Sequence, residues 1–181
     1  MFTVDNLITD CKKAVAGGRT AQAEVRDILA KAVSAPGQVL NELGEPETGG
    51  VSKIYDSEEL TIINVVWGPH MTIMPHNHEM WANIGIYTGR EDNIFWRRVA
   101  DAEDGYIEAA GAESLGFKDA TTLGRDIIHS VTNPLSKLTG AIHIYGGDFF
   151  RVDRSEWDPE SHTEQAYDMK KNLRLLEAAE S

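Results

Sequence analysis

Residues 75–89 read PHNHEMWANIGIYTG and residues 124–134 read GRDIIHSVTNP. The first stretch opens on two histidines, His76 and His78, then runs into β-branched and aromatic residues and closes at Gly89. On an extended chain, residues two apart project from one face, so the two imidazoles lie side by side. The second stretch ends another β-rich run on His129, far along the chain. A third imidazole so distant in sequence reaches the first two only where remote strands fold against one another, as in a sandwich or barrel.

Outward from these stretches the same texture repeats: LTIINVVW (60–67), HMTIM (70–74), WANIGIYTG (81–89), NIFWRRV (93–99), TTLGRDIIHSV (121–131) and TGAIHIYGGDFF (139–150). Short β-branched and aromatic runs separated by turn residues predict an all-β sandwich or barrel over residues 51–150. Upstream, GEPETGG (44–50) is a turn-rich connector, and residues 1–50 predict a helical segment packed on the barrel. Val4, Leu7, Ile8, Cys11 and Val15 share a helical stripe capped by Thr3 or Asp5 and stopped by Gly17-Gly18. A second helix runs from Thr20, its N-cap, to Ser34, where Ala35-Pro36-Gly37 breaks it, and a short amphipathic turn through Val39, Leu40 and Leu43 follows. Residues 151–181 form an acidic tail that ends in a helix through Met169, Leu173 and Leu176.

At 181 residues the chain is long enough for one core. Lys and Arg number 17 against 29 Asp and Glu, a formal net charge of −12 that repels phosphate backbones and anionic lipid, so nucleic acid and membrane surfaces are excluded as partners. The single cysteine, Cys11, forms no disulfide within the chain and fits a reducing, cytoplasmic setting. The first residues have neither the charge order nor the apolar core of a secretion signal.

Neutral imidazole is a ligand for Fe, Zn, Cu and Ni, so His76, His78 and His129 converging would bind a divalent ion with positions left open. The two motifs together resemble those of the cupin superfamily. Its first motif, G(X)5HXH(X)3-4E(X)6G, is matched by Gly68 somewhat upstream, by His76 and His78 and by Gly89; its second, ending H(X)3N, is matched by His129 and Asn133. The resemblance implies a mainly β fold, the cupin double-stranded β-helix or jelly-roll barrel, here with N-terminal helices and a short C-terminal helix. The glutamate of the first motif falls at Ala82 or Asn83, so the carboxylate ligand is missing, and Glu79 has the wrong parity to share the face of His78. Three neutral histidines leave a divalent metal at +2, which favours an anionic substrate such as a thiolate or an enolate.

Three-histidine iron sites of this kind are similar to those of the cysteine dioxygenase-like thiol dioxygenases, and the stretch HSVTNPLSKLTGAIHIYGGDFF resembles their bacterial branch acting on 3-mercaptopropionate. The resemblance implies an Fe(II) cofactor and a reaction of O2 with a small thiol, a thiol carboxylate such as 3-mercaptopropionate or cysteine, to give a sulfinate. These enzymes carry a Ser-X-His-X-Tyr relay beside the iron; here the strand reads Ala141-Ile-His143-Ile-Tyr145, so His143 and Tyr145 match as catalytic residues and Ala141 replaces the serine. Asn83 stands where mammalian-type enzymes have a crosslinking cysteine. Those enzymes also bind the substrate carboxylate through an upstream arginine, whereas residues 46–66 contain only Lys53. Arg154 is the leading candidate for that role, with Arg151, and Arg97 or Arg98 on a strand whose alternation turns one of them inward. Trp67, Trp81 and Trp96 read as barrel core, and His70 and His162 as surface or structural residues. Two other readings stay open: a three-histidine dioxygenase cleaving a β-diketone, and a non-catalytic metal- or small-molecule-binding cupin. A homo-oligomer is compatible with either.

Overall fold

A computed structural model describes residues 1–178. Helix α1 (Val4–Ala16) starts where Thr3 caps it, the Thr3 hydroxyl accepting from the Asn6 amide at 3.2 Å. Helix α2 (Ala21–Val33) follows; Thr20 flanks it without capping, because its hydroxyl donates to Glu24 at 2.6 Å instead. Pro36, expected only to break the second helix, is the first residue of α3 (Pro36–Leu43), where a missing N–H costs nothing.

Eleven strands follow: β1 (Gly50–Asp56), β2 (Thr61–Trp67), β3 (Thr72–His76), β4 (Ala82–Thr88), β5 (Arg90–Arg98), β6 (Ile107–Gly116), β7 (Ala120–Leu123), β8 (Ile128–Thr132), β9 (Thr139–Tyr145), β10 (Ser155–Trp157) and β11 (Glu164–Ala166); α4 (Met169–Glu177) ends the described chain. They form two antiparallel sheets, β1-β2-β9-β4-β7 and β11-β10-β3-β8-β5-β6. The pairing is nested: β5 with β6, β4 with β7, β3 with β8 and β2 with β9. One long hairpin wound onto itself is the jelly roll, or double-stranded β-helix, that the sequence predicted.

Two apolar layers hold it. Inside the barrel, Ile63, Val65, Trp67, Ile84, Leu123, Val131 and Tyr145 pack between the sheets. Outside the first sheet, Leu7, Cys11, Val25, Leu29 and Val39 of the helices cover Ile62, Tyr87, Ile142 and Ile144. β2, β4 and β9 are therefore buried on both faces, which is why they read as continuous apolar runs rather than as alternation. Helix α2 lies so close to β4 that a Cβ on Gly85 would meet Leu29 Cγ at 2.8 Å and Val33 Cγ1 at 2.9 Å. Gly89 turns the chain from β4 into β5 at φ 78°, a left-handed conformation that glycine adopts without strain.

The tail is more than a helix. β10 and β11 extend the second sheet, with Glu156 paired to His76, and α4 lies against β1. Glu156, almost fully buried, holds that segment down through Lys171 and through Asn172 Nδ2 at 2.7 Å. No described helix is long and apolar enough to cross a membrane.

Candidate metal centre

The register of β3 and β8 sets His76 directly opposite His129. β3 ends at His76, so His78 sits on the segment beyond the strand rather than on it. That segment is fastened to β10, with Asn77 N donating to Ser155 O at 3.1 Å and Ser155 N to Asn77 Oδ1 at 2.8 Å. The three imidazoles converge all the same. One ring nitrogen from each lies within 4.8 Å of the others, with ring centroids 4.7–5.0 Å apart.

Two of the rings are fixed from behind. His76 Nδ1 donates to Met74 O at 2.9 Å, and His129 Nδ1 meets Asn93 Oδ1 at 2.6 Å, so in both rings the proton is held on Nδ1 and the lone pair of Nε2 is free for a metal. His129 Nε2 faces His78 Nε2 at 3.3 Å. His78 Nδ1 is buried with no partner. Burial lowers all three pKa values, that of His76 from 6.5 to about 4 and those of His78 and His129 well below the ordinary value, with neighbouring rings and the Arg154 charge adding to the effect on His78. The rings are neutral at physiological pH, which is the state in which imidazole binds a metal. The donor set fits a divalent ion.

The missing carboxylate has a structural counterpart. Ala82 faces the barrel interior, where a methyl group stands in place of a ligand, while Asn83 turns to the helices and donates to Gln22 O at 3.0 Å. Glu79 stays outside, held by Asn77 at 2.7 Å and 3.8 Å from Arg125. Asn133, the last residue of the second motif, ties a loop by donating to Gly68 O and Lys137 O, at 2.9 and 2.8 Å.

The three histidines open on an interior cavity of about 40 Å³ walled by Val51, Ile63, Trp67, Tyr145, Phe149 and Leu176 among others. That is room for a few waters or a small ligand. Trp67, read as core, is both core and wall. Across from the histidines, positions 141, 143 and 145 of β9 turn inward as their alternation requires, and Ile142 and Ile144 turn toward the helices. Tyr145 stacks on Phe149 at 4.3 Å and meets the His78 ring edge-on at 5.1 Å; burial pushes its pKa up, so it is a neutral phenol. His143 joins it, Nδ1 to Oη at 3.1 Å, and at Nε2 reaches Glu91 Oε2 at 3.2 Å.

Solved structures similar to this chain include cupins. An RmlC-like cupin family protein with a double-stranded β-helix fold from Methanocaldococcus jannaschii matches over 59% of this chain and 87% of its own at 12% identity, with a TM-score of 0.46. A cupin 2 conserved barrel domain protein from Salinispora arenicola matches over 52% and 72% at 15% identity, with a TM-score of 0.41. A variant of Bacillus subtilis oxalate decarboxylase matches over 57% of this chain but 27% of its own at 16% identity, with a TM-score of 0.43. No family model matches the chain.

The arginines separate cleanly. Arg97 and Arg98 do not turn inward: both are exposed and paired, with Glu108 and Glu164, on the end of β5 beyond Trp96, the last residue of that strand paired with β8. Arg151 is exposed and paired with Asp148. Arg154 is buried, its guanidinium stacked between Phe149 at 4.1 Å and Tyr167 at 4.2 Å, two rings that line the cavity. Its Nη1 donates to Phe149 O at 2.7 Å, while Nε and Nη2 have no partner. His70 is exposed, and His162 packs edge-on against Trp96 at 4.9 Å, away from the cavity.

Sequence reasoning missed Glu91 and Asn93. Both are buried on β5, both face the interior, and neither belongs to a ligand motif. A signal was present: on β5 the polar residues sit inside while Ile94, between them and Phe95, is 41% exposed, which inverts the usual sidedness of a strand.

Proposed function

We propose that the protein is an Fe(II)-dependent dioxygenase that adds both atoms of O2 to a small thiol carboxylate, 3-mercaptopropionate or cysteine, to give the sulfinate. The observation that carries this reading is a buried three-histidine site with no carboxylate ligand, next to a buried arginine with two unpartnered nitrogens. The histidines line the cavity and Arg154 lies behind Phe149 and Tyr167 of its wall, so a metal and this guanidinium would place two positive charges close together, and Glu91, the buried carboxylate of the barrel interior, is taken up by His143 and Asn93. An isolated charge in such a place calls for an opposite one. A molecule with a thiolate at one end and a carboxylate at the other supplies two, one for the metal and one for Arg154, which presents Nε and Nη2 on one edge for bidentate contact. A β-diketone enolate carries one negative charge, so with that charge at the metal it has no second one for the arginine.

Iron held by His76, His78 and His129 would supply the point at which thiolate and O2 meet and the low-lying acceptor that makes the thiol ionise below its usual pKa of about 8.5. The protein does the rest. Trp67, Val131 and Phe149 keep bulk water out, and Tyr145, locked by Phe149 and His143, places its hydroxyl beside the histidines. In balance, R–SH and O2 become R–SO2H: two S–O bonds form, the O–O bond breaks, sulfur loses four electrons and oxygen gains them.

Anaerobic loading with Fe(II), followed by O2-uptake measurement with 3-mercaptopropionate, cysteine, cysteamine and a β-diketone, tests the reading. The expected result is one O2 consumed per sulfinate formed with the carboxylated thiols, and little with cysteamine, which lacks the carboxylate. Stoichiometric iron with no thiol-dependent uptake overturns it, and uptake with the diketone alone replaces it with the enolate reading.

A further inference from the structure

Glu91 is fully buried, and its two oxygens serve different partners. Oε1 accepts from Asn93 Nδ2 at 3.1 Å; Oε2 meets His143 Nε2 at 3.2 Å. Asn93 in turn reaches His129, and His143 reaches Tyr145. β5 and β9 belong to different sheets, so this carboxylate spans the barrel interior. It takes up the ring nitrogen of His143 at a place where Ala141, on the same face of β9, offers no hydroxyl.

We propose that Glu91, acting as a carboxylate that only accepts, is a positioning residue that fixes the direction of every hydrogen bond between the Tyr145 hydroxyl and His129. A carboxylate accepts at both oxygens and never donates. His143 must therefore carry its proton on Nε2. That leaves Nδ1 as an acceptor, and the group that meets it, the Tyr145 hydroxyl, has to donate. On the other branch, Asn93 must turn its NH2 to Glu91, which aims its carbonyl oxygen at His129 Nδ1. His129 then keeps its proton on Nδ1 and offers a lone pair at Nε2, toward the other histidines. A single acceptor in the middle draws every hydrogen bond of the network toward itself, from both sides.

The consequence for the cavity is specific. With its proton committed to His143, Tyr145 shows oxygen lone pairs to whatever sits beside it and receives a hydrogen bond there. It is suited to take one from a ligand N–H, S–H or O–H. Glu91 thus sets the polarity of a group it does not touch.

Only the His129 branch rests on the metal reading, and the test runs on metal-free protein. Ring tautomers of His143 and His129 are read by long-range 15N–1H correlation spectra, with resonances assigned from His143→Gln and His129→Gln. In the wild type the expected protons are on His143 Nε2 and His129 Nδ1. Glu91→Gln replaces one acceptor atom by a donor, so one neighbour must turn round, and the expected result is a proton moved to the other nitrogen in at least one of the two rings. A wild-type proton on His143 Nδ1, in a neutral or a doubly protonated ring, overturns the proposal, and so does a folded Glu91→Gln protein in which neither ring changes. The wild-type spectrum decides even where the variant does not fold. Wild-type protein with these tautomers that binds no Fe(II) sinks the proposed function and leaves this inference standing.

Discussion

Arg154 has lost its water without gaining a counter-charge, and its position explains how it is kept: two aromatic faces stack on the guanidinium and one carbonyl takes one N–H. Charge-assisted hydrogen bonds to a carboxylate contribute on the order of 1.5–3 kcal/mol. Arg154→Ala should accordingly raise KM for 3-mercaptopropionate by about 10- to 100-fold and narrow its advantage over cysteamine, with kcat changing less. Steady-state kinetics on the two thiols reads this, and an unchanged KM removes Arg154 from the substrate site. The three converging histidines were legible because a metal would impose residue type and spacing together: two histidines two positions apart, and a third at the end of another β run. Arg154 was put first on its place just beyond the His143 strand, although nothing in a sequence separates an arginine stacked indoors from Arg97 or Arg98 paired outdoors. Glu91 and Asn93 were invisible for a different reason. They bind no metal and match no motif, and their value lies in which atoms they face across a barrel.

At the scale of the elements, strands with two buried faces announce themselves by unbroken apolar runs; β2 and β4 were read nearly to their ends, and β9 from its first residue, with its run carried on past Tyr145 to Phe150. β6 was not. Its sequence, IEAAGAESLG, is exposed along most of its length on the edge of the second sheet, where little burial selects for β-branched residues, and pairing with β5 alone makes it a strand. β7 and β8 were merged into one run because the turn through Gly124, Arg125 and Asp126 lies between two stretches of similar texture. The helical cover is tighter than periodicity reveals. Where α2 crosses β4 at Gly85, an added methyl group must displace Leu29 and Val33, both fully buried. Overpacking of this kind costs about 1–3 kcal/mol. Gly85→Ala should lower the thermal midpoint by several degrees while leaving Fe(II) stoichiometry unchanged, since His76 and His129 stand on the other sheet, across the barrel from β4; a midpoint equal to wild type means the helix gives way freely.

For the molecule as a whole, the net charge of −12 and the interior site oppose each other. The acidic residues lie mostly outside, with Glu91 and Glu156 as buried exceptions, while the barrel holds three neutral imidazoles and a buried guanidinium stands behind its wall. This arrangement ties stability to pH. Burial depresses the His76 pKa from 6.5 to about 4, so between those values the unfolded chain takes up a proton that the folded chain refuses. The stabilisation is complete above pH 6.5 and is lost as the pH falls through the window, roughly 3 kcal/mol for His76 alone, and His78 and His129 shift in the same direction. Metal-free protein should unfold in this window, and a bound divalent ion should move the acid midpoint lower, because metal and proton compete for the same nitrogens. Circular dichroism against pH with and without metal measures both, and coincident midpoints refute the link. The direct pairing of His76 with His129 has one more consequence. A slip of one residue between β3 and β8 would exchange inward and outward faces, turning one imidazole out of the barrel while its partner stayed in. The ion-binding site therefore acts as a proofreader of assembly: a barrel closed out of register has no place for the metal, and only a correctly threaded chain gains the stability that the metal confers.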